Sequence, residues 1–202
     1  MKQSPEVIAT IQKWLDTGSI NIFGMQLSGK DTQGEQLSKI FNAPLIGGGD
    51  ILRNSVIPAR AQAALAVGDL IDTEDYIAIV LPYLDKPEFL NKPLILSAVG
   101  RWIGEETNVL AATEAAGHPL KAVVYLNITE EESYKRLSVA DRGRDDDTED
   151  NLRHRLEEFK AKTVPVIEVY RQKGLLIEVD GIQPPETITE EIIKRLFERA
   201  TA

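Results

Sequence analysis

The chain has 202 residues, 43% of them hydrophobic and 27% charged, enough apolar material for one α/β domain with its own core. A formal charge of −9 argues against a general nucleic-acid binder, because phosphate backbones require a net basic face; a small phosphorylated ligand needs only a local cluster of cations. The absence of cysteine rules out disulfides and thiol catalysis, and no apolar run approaches a membrane span, so a cytoplasmic protein free of membrane is expected.

Ser4-Pro5-Glu6 is a helix start, after which Val7, Ile8, Ile11 and Leu15 share one face until Gly18. Ile20 to Phe23 is a short apolar strand that runs into a glycine-containing turn, and a helix follows from Lys30 to Phe41. Ala43 to Ile46 reads as a second strand, then Gly47-Gly48-Gly49-Asp50 and shorter helices through Leu84. Leu94 to Val99 is a third strand, and Thr107 to Ala116 a helix stopped by Gly117-His118-Pro119. Ala122 to Ile128 is a fourth strand. Leu152, Leu156, Phe159, Thr163, Ile167 and Tyr170 step by three or four, marking one long amphipathic helix. Leu175 to Val179 is a fifth strand, and Glu186 to Arg199 the last helix. Buried strands alternating with helices predict a parallel sheet covered on both faces. No repeat or low-complexity linker divides the chain.

The turn after the first strand carries the chemistry. Gly24, Gly29 and Lys30 in INIFGMQLSGKDTQ have the spacing of a phosphate loop, G-x-x-x-x-G-K, between strand and helix. Glycine lets backbone N–H groups close on phosphate oxygens, the new helix offers its positive end, and Lys30 would reach the β- and γ-phosphates. The bland alternative is a glycine turn with a surface lysine. After the lysine the general motif has Ser or Thr; this chain has Asp31, then Thr32.

Gly24 to Gln33 resembles the G-x-P-G-x-G-K-G-T-Q loop of adenylate kinases and UMP-CMP kinases, and the resemblance continues in order to about Gly181. Gly49-Asp50-Ile51-Leu52-Arg53 is similar to the T-G-D-[ML]-[LI]-R segment whose arginine grips the monophosphate. Gly68-Asp69-Leu70-Ile71-Asp72 is similar to the G-x-L-V-P wall of the acceptor base. Arg101 stands at the arginine of D-G-F-P-R, Gly143 to Asp147 resembles G-R-x-D-D, and Arg155 follows at the family's spacing. Leu175 to Gly181 looks like the strand and turn near the ATP base. The resemblance implies a P-loop NTPase fold, a three-layer α/β/α arrangement with a five-stranded parallel sheet. An N-terminal helical extension (1–18) would precede a nucleoside monophosphate kinase-like domain (19–202). That domain would carry an acceptor-binding insert (about 48–84) and a short lid (about 136–147).

The activity implied is phosphoryl transfer from ATP, with Mg²⁺, to a nucleoside monophosphate by a protein expected to be a monomer. By the same resemblance Lys30, Arg101, Arg136, Arg144 and Arg155 would be catalytic. Gly24, Ser28, Gly29, Lys30, Asp31, Thr32, Arg136 and Gly181 would bind ATP. Gly49, Arg53, Leu70, Ile71, Arg101, Glu105, Arg144 and Arg155 would hold the monophosphate. Phosphoryl transfer needs in-line positioning and positive charge around the moving group, and this cationic set supplies it in an acidic chain. The bland alternative for each arginine taken singly is a salt bridge with one of the many acids.

Three departures bear on the chemistry. D-G-F-P-R appears as Ser97-Ala98-Val99-Gly100-Arg101, without the strand-end aspartate that anchors Mg²⁺ through water. Asp31 replaces a glycine; either it takes over that anchorage, with Thr32, or it is a first-turn acid favoured by the helix dipole. Glu105 stands at the glutamine that reads adenine. A carboxylate only accepts hydrogen bonds, so it suits guanine or a pyrimidine presenting donors, with AMP as the family's default; the other reading is a solvated side chain. Seven residues separate Arg136 from Arg144, and so short a lid predicts some ATP hydrolysis without acceptor. His118 is expected to be structural, His154 to lie on a solvated face, Trp14 and Trp102 to pack, and Glu130 to Glu132 to form a solvated acidic helix start. The rival functions are a catalytically silent nucleotide binder and a P-loop kinase for another small acceptor.

Overall fold

Every residue of β1 (Ser19–Gly24) is buried, as a strand flanked on both edges and covered on both faces requires. The computed structural model describes residues 4–48, 57–67, 69, 71–139 and 148–202. It contains a five-stranded sheet in the order β2-β3-β1-β4-β5, formed with β2 (Leu45–Gly47), β3 (Leu94–Ser97), β4 (Leu120–Asn127) and β5 (Leu176–Asp180). All four pairings are parallel. The chain leaves β1 for β2 on one side and later for β4 on the other. The carboxyl ends of β1, β3 and β4 therefore border the crevice in which open parallel sheets hold ligands.

One face is covered by α1 (Pro5–Leu15), α2 (Lys30–Phe41) and α9 (Pro185–Thr201). Ser4 caps α1 through its hydroxyl, which accepts the Val7 N–H at 3.3 Å, and Pro5 begins the helix where no N–H is needed. Ile11 and Leu15 are fully buried in the cluster that contains Ile192 and Leu196 of α9. The first helix thus packs on the sheet's back. Gln33 of α2 links the two neighbours; its amide donates to the Pro185 carbonyl at 2.9 Å and accepts from the Thr189 hydroxyl at 2.7 Å.

Around β2 and β3, Ile46, Leu94 and Leu96 pack with α3 (Ala59–Ala66), Leu84 and Val109 of α5 (Glu105–Ala115), and Ile79 of α4 (Thr73–Val80) packs against the same cluster. The second face near β1 and β4 is covered by α6 (Glu130–Val139), α7 (Glu149–Glu158) and α8 (Val164–Gln172). There the Phe23 and Tyr170 rings meet with centroids 5.9 Å apart.

Two expectations change in detail. The third strand stops at Ser97 because Ala98 turns to φ +49°, outside the extended region. The long helix expected from Leu152 to Tyr170 is broken by a π turn, Phe159–Thr163, in which the Val164 N–H reaches back to the Phe159 carbonyl. Pro165 explains the change: its ring excludes the carbonyl four residues earlier and it has no N–H, so one extra residue is looped in.

Candidate active site

β1 delivers the chain into the phosphate loop under tight steric control. A Cβ placed on Gly24 would lie 2.2 Å from Ser28 Oγ and 3.2 Å from the Leu126 carbonyl, so only glycine fits. Gly29 adopts φ +89° to turn the loop into α2, a conformation costly for side-chain-bearing residues. As the N-cap of α2 it has no side-chain oxygen, and no side-chain cap bond is made there. A helix start without a side-chain cap suits an anion, which its dipole favours.

Lys30, Arg101 and Arg155 line one cavity together with Gly24, Glu158 and Thr163. Three separate elements supply the cations. Lys30 opens α2, and Arg155 sits on α7 beside the buried Leu156. Arg101 follows β3 on a turn that β1 holds in place: buried Asn21 donates from Nδ2 to the Val99 carbonyl at 2.7 Å and accepts the Val99 N–H at 3.1 Å. Asn21 is a positioning residue that sequence reading missed. Its only signal there is an amide inside an otherwise apolar strand. Glu158 pairs with Lys162, and the Lys162 ammonium stands 4.3 Å from the Trp102 ring centre, joining the π turn to the Arg101 loop.

Asp31 and Ser97 meet across the loop. The Ser97 hydroxyl donates to Asp31 Oδ1 at 3.1 Å, while Asp31 Oδ2 lies 3.9 Å from Lys30 Nζ. The carboxylate introduced by Asp31 therefore lies at the end of β3, where the family pattern has its aspartate. Asp31 and Thr32 are exposed.

Glu105 is 2% exposed rather than solvated, and Oε2 accepts the Trp102 N–H at 2.9 Å at the start of α5. Burial raises its pKa above the ordinary carboxylate value; the Trp102 and Arg101 N–H groups and the Arg101 charge oppose that rise. Ile71 is buried with Ile57 and Leu84 in the core beside β3. Gly181 donates its N–H to the Asn127 carbonyl and accepts from Arg136 Nη2 at 2.7 Å. Arg136 also reaches the Leu27 carbonyl at 3.0 Å and Glu132 at 2.8 Å, so Arg136 borders the phosphate loop from α6. Ser28, within the loop, is fully buried. Gly49, Arg53, Leu70 and Arg144 lie outside the described residues.

Two side chains differ from expectation. His154 is partnered, with Nε2 2.8 Å from Asp69 Oδ1, because α7 runs beside the segment that follows α3. Glu132 is mostly buried and ion-paired to Arg136 and Lys135, which together hold its carboxyl below the usual range. His118 is buried with Nδ1 2.9 Å from the Thr17 carbonyl, a structural placement.

A family model described as Adenylate kinase matches residues 22–175. An adenylate kinase from Xylella fastidiosa is 31% identical over 182 residues, covering 87% of this chain and 97% of its own. One from Xanthomonas oryzae pv. oryzae shows the same identity and coverage, and one from a Nocardioides species is 31% identical over 87% of this chain and 95% of its own. The family model takes in the loop and every residue named at the cation-lined cavity, the relatives cover most of the chain, and on that ground the chain belongs to the adenylate kinase family of nucleoside monophosphate kinases.

Proposed function

We propose that the chain transfers the γ-phosphoryl group of ATP to AMP, releasing two molecules of ADP. The observation that carries this reading is the convergence of Lys30, Arg101 and Arg155 on one cavity at the mouth of the phosphate loop. An oxygen of the acceptor phosphate attacks the γ-phosphorus while the bond to the bridging oxygen breaks, and the leaving electrons pass to ADP. Charge then spreads over the equatorial oxygens, where fixed cations lower the barrier. Lys30 would hold the β- and γ-phosphates against α2. Arg101 and Arg155 would hold the acceptor phosphate and the transferred group in line. By the family resemblance, Gly49, Arg53, Leu70, Ile71 and Arg144 would complete the acceptor side. Gly24, Ser28, Gly29, Arg136 and Gly181 would complete the ATP side. AMP is favoured over GMP or a pyrimidine monophosphate because one oxygen of Glu105 is bound to its own loop, weakening the argument for a donor-bearing base.

Magnesium suits the oxygen donors present. Asp31, supported by Ser97 and followed by Thr32, would hold the ion, and the ion would neutralise developing charge on the β- and γ-phosphates. Among the described residues no group of three or more His, Cys, Asp or Glu side chains is arranged to hold a metal ion. A monomer in the cytoplasm completes the reading; among the described residues no helix is long and apolar enough to cross a membrane.

The test is a coupled assay of ADP formation with ATP, titrated magnesium and a panel of monophosphates, run on wild type and Asp31→Asn. AMP should give the highest kcat/KM, and the variant should need more magnesium for half-maximal rate. No turnover with any monophosphate would support a silent nucleotide binder instead. An unchanged magnesium profile would remove Asp31 from the metal site.

A further inference from the structure

Two consecutive carbonyls of the phosphate loop are held from outside by α6. The Ser133 hydroxyl donates to the Gln26 carbonyl at 2.7 Å, and Arg136 Nη1 donates to the Leu27 carbonyl at 3.0 Å. Ser133 is fully buried, and Arg136 is itself braced by Glu132 and by the Gly181 carbonyl. Leu27 stands at φ +63°, a conformation that disfavours residues with a Cβ. In the G-x-P-G-x-G-K pattern the corresponding positions are Pro and Gly. Proline would fix the backbone at 26 and glycine would accept left-handed geometry at 27. This chain has neither, and the carbonyls of these two residues are the ones that α6 binds.

We propose that Ser133, acting with Arg136, is a positioning residue that keeps the phosphate loop in its nucleotide-accepting shape at Gln26–Leu27. In a planar trans unit, a carbonyl turned toward α6 turns the attached N–H the other way, so the clamp sets where the Leu27 N–H points. Two long-range hydrogen bonds thus replace what local backbone chemistry supplies in the family pattern. The inference rests on reading this loop as the site of ATP's phosphates.

Ser133→Ala removes one bond with almost no change in volume. Amide exchange over residues 24–29 of the nucleotide-free protein should accelerate by about fivefold, the worth of one net hydrogen bond. KM for ATP should rise by about the same factor, while kcat and KM for the monophosphate stay within about twofold. In a Leu27→Gly background the effect of Ser133→Ala should shrink to less than about twofold, because glycine takes the left-handed geometry unaided. Unchanged exchange, an equal rise in both KM values, or the same loss in both backgrounds would overturn the proposal. Should Ser133→Ala fail to fold, Arg136→Lys keeps the charge but loses the forked contact. It must show the same acceleration, and unchanged exchange there would be decisive against the clamp. The exchange measurement needs no nucleotide, so it separates failure of the clamp from failure of the kinase reading; an inactive wild type with a loosened Ser133→Ala loop sinks only the latter.

Discussion

Burial holds the Glu105 carboxyl above its ordinary pKa, so folding shifts its equilibrium toward the protonated form relative to the unfolded chain. In an unfolded chain glutamate titrates near about 4.3. The stability Glu105 contributes is therefore fully present below that value and is lost as pH rises through the higher folded value. Glu105→Gln keeps an acceptor for the Trp102 N–H and never ionises. Thermal midpoints of wild type and variant should lie close near about pH 4 and diverge with rising pH, the variant becoming the more stable. Parallel midpoints across the range would contradict this account. The same residue marks a limit of legibility. Its place in the family pattern is visible in sequence, but its capping bond to Trp102 depends on how the loop after β3 turns. Lys30, Arg101 and Arg155 were legible because a short motif or fixed spacing carries each. Asn21 and Ser133 were not, since their partners lie 78 and 107 residues away and neither residue type announces a role.

Apolar periodicity identified the elements well, and most of their neighbours poorly. α1 was readable from Val7, Ile8, Ile11 and Leu15, yet its packing beside α9, at the other end of the chain, is a tertiary fact. Ile11 is 0% solvent-accessible, with Leu15 in the same cluster. Ile11→Ala should lower stability by about 2–5 kcal/mol in denaturant unfolding, through lost transfer energy and the cavity left behind. A change within about 0.5 kcal/mol would mean that α1 is not docked in solution. The π turn had a signal that periodicity hides. Pro165 cannot continue an α-helix, and the extra residue it forces shifts Lys162 onto Trp102 and leaves Glu158 and Thr163 lining the cavity.

At the scale of the molecule, the fold class was legible because a parallel sheet buried on both faces leaves long apolar strands separated by amphipathic helices. The strand order puts the phosphate loop at the reversal point of the sheet, which brings cations from α2, the β3 turn and α7 together although 124 residues lie between Lys30 and Arg155. Charge gathers there in a chain with nine more acids than bases. The central claim is that this convergence receives the phosphates of both substrates. A crystal structure with a non-hydrolysable ATP analogue, magnesium and AMP tests it most directly. The account predicts the β- and γ-phosphates inside the loop, bonded to Lys30, with Arg101 and Arg155 reaching the acceptor phosphate beside them. Nucleotide bound away from Gly24–Lys30, or arginines turned from both phosphates, would contradict it.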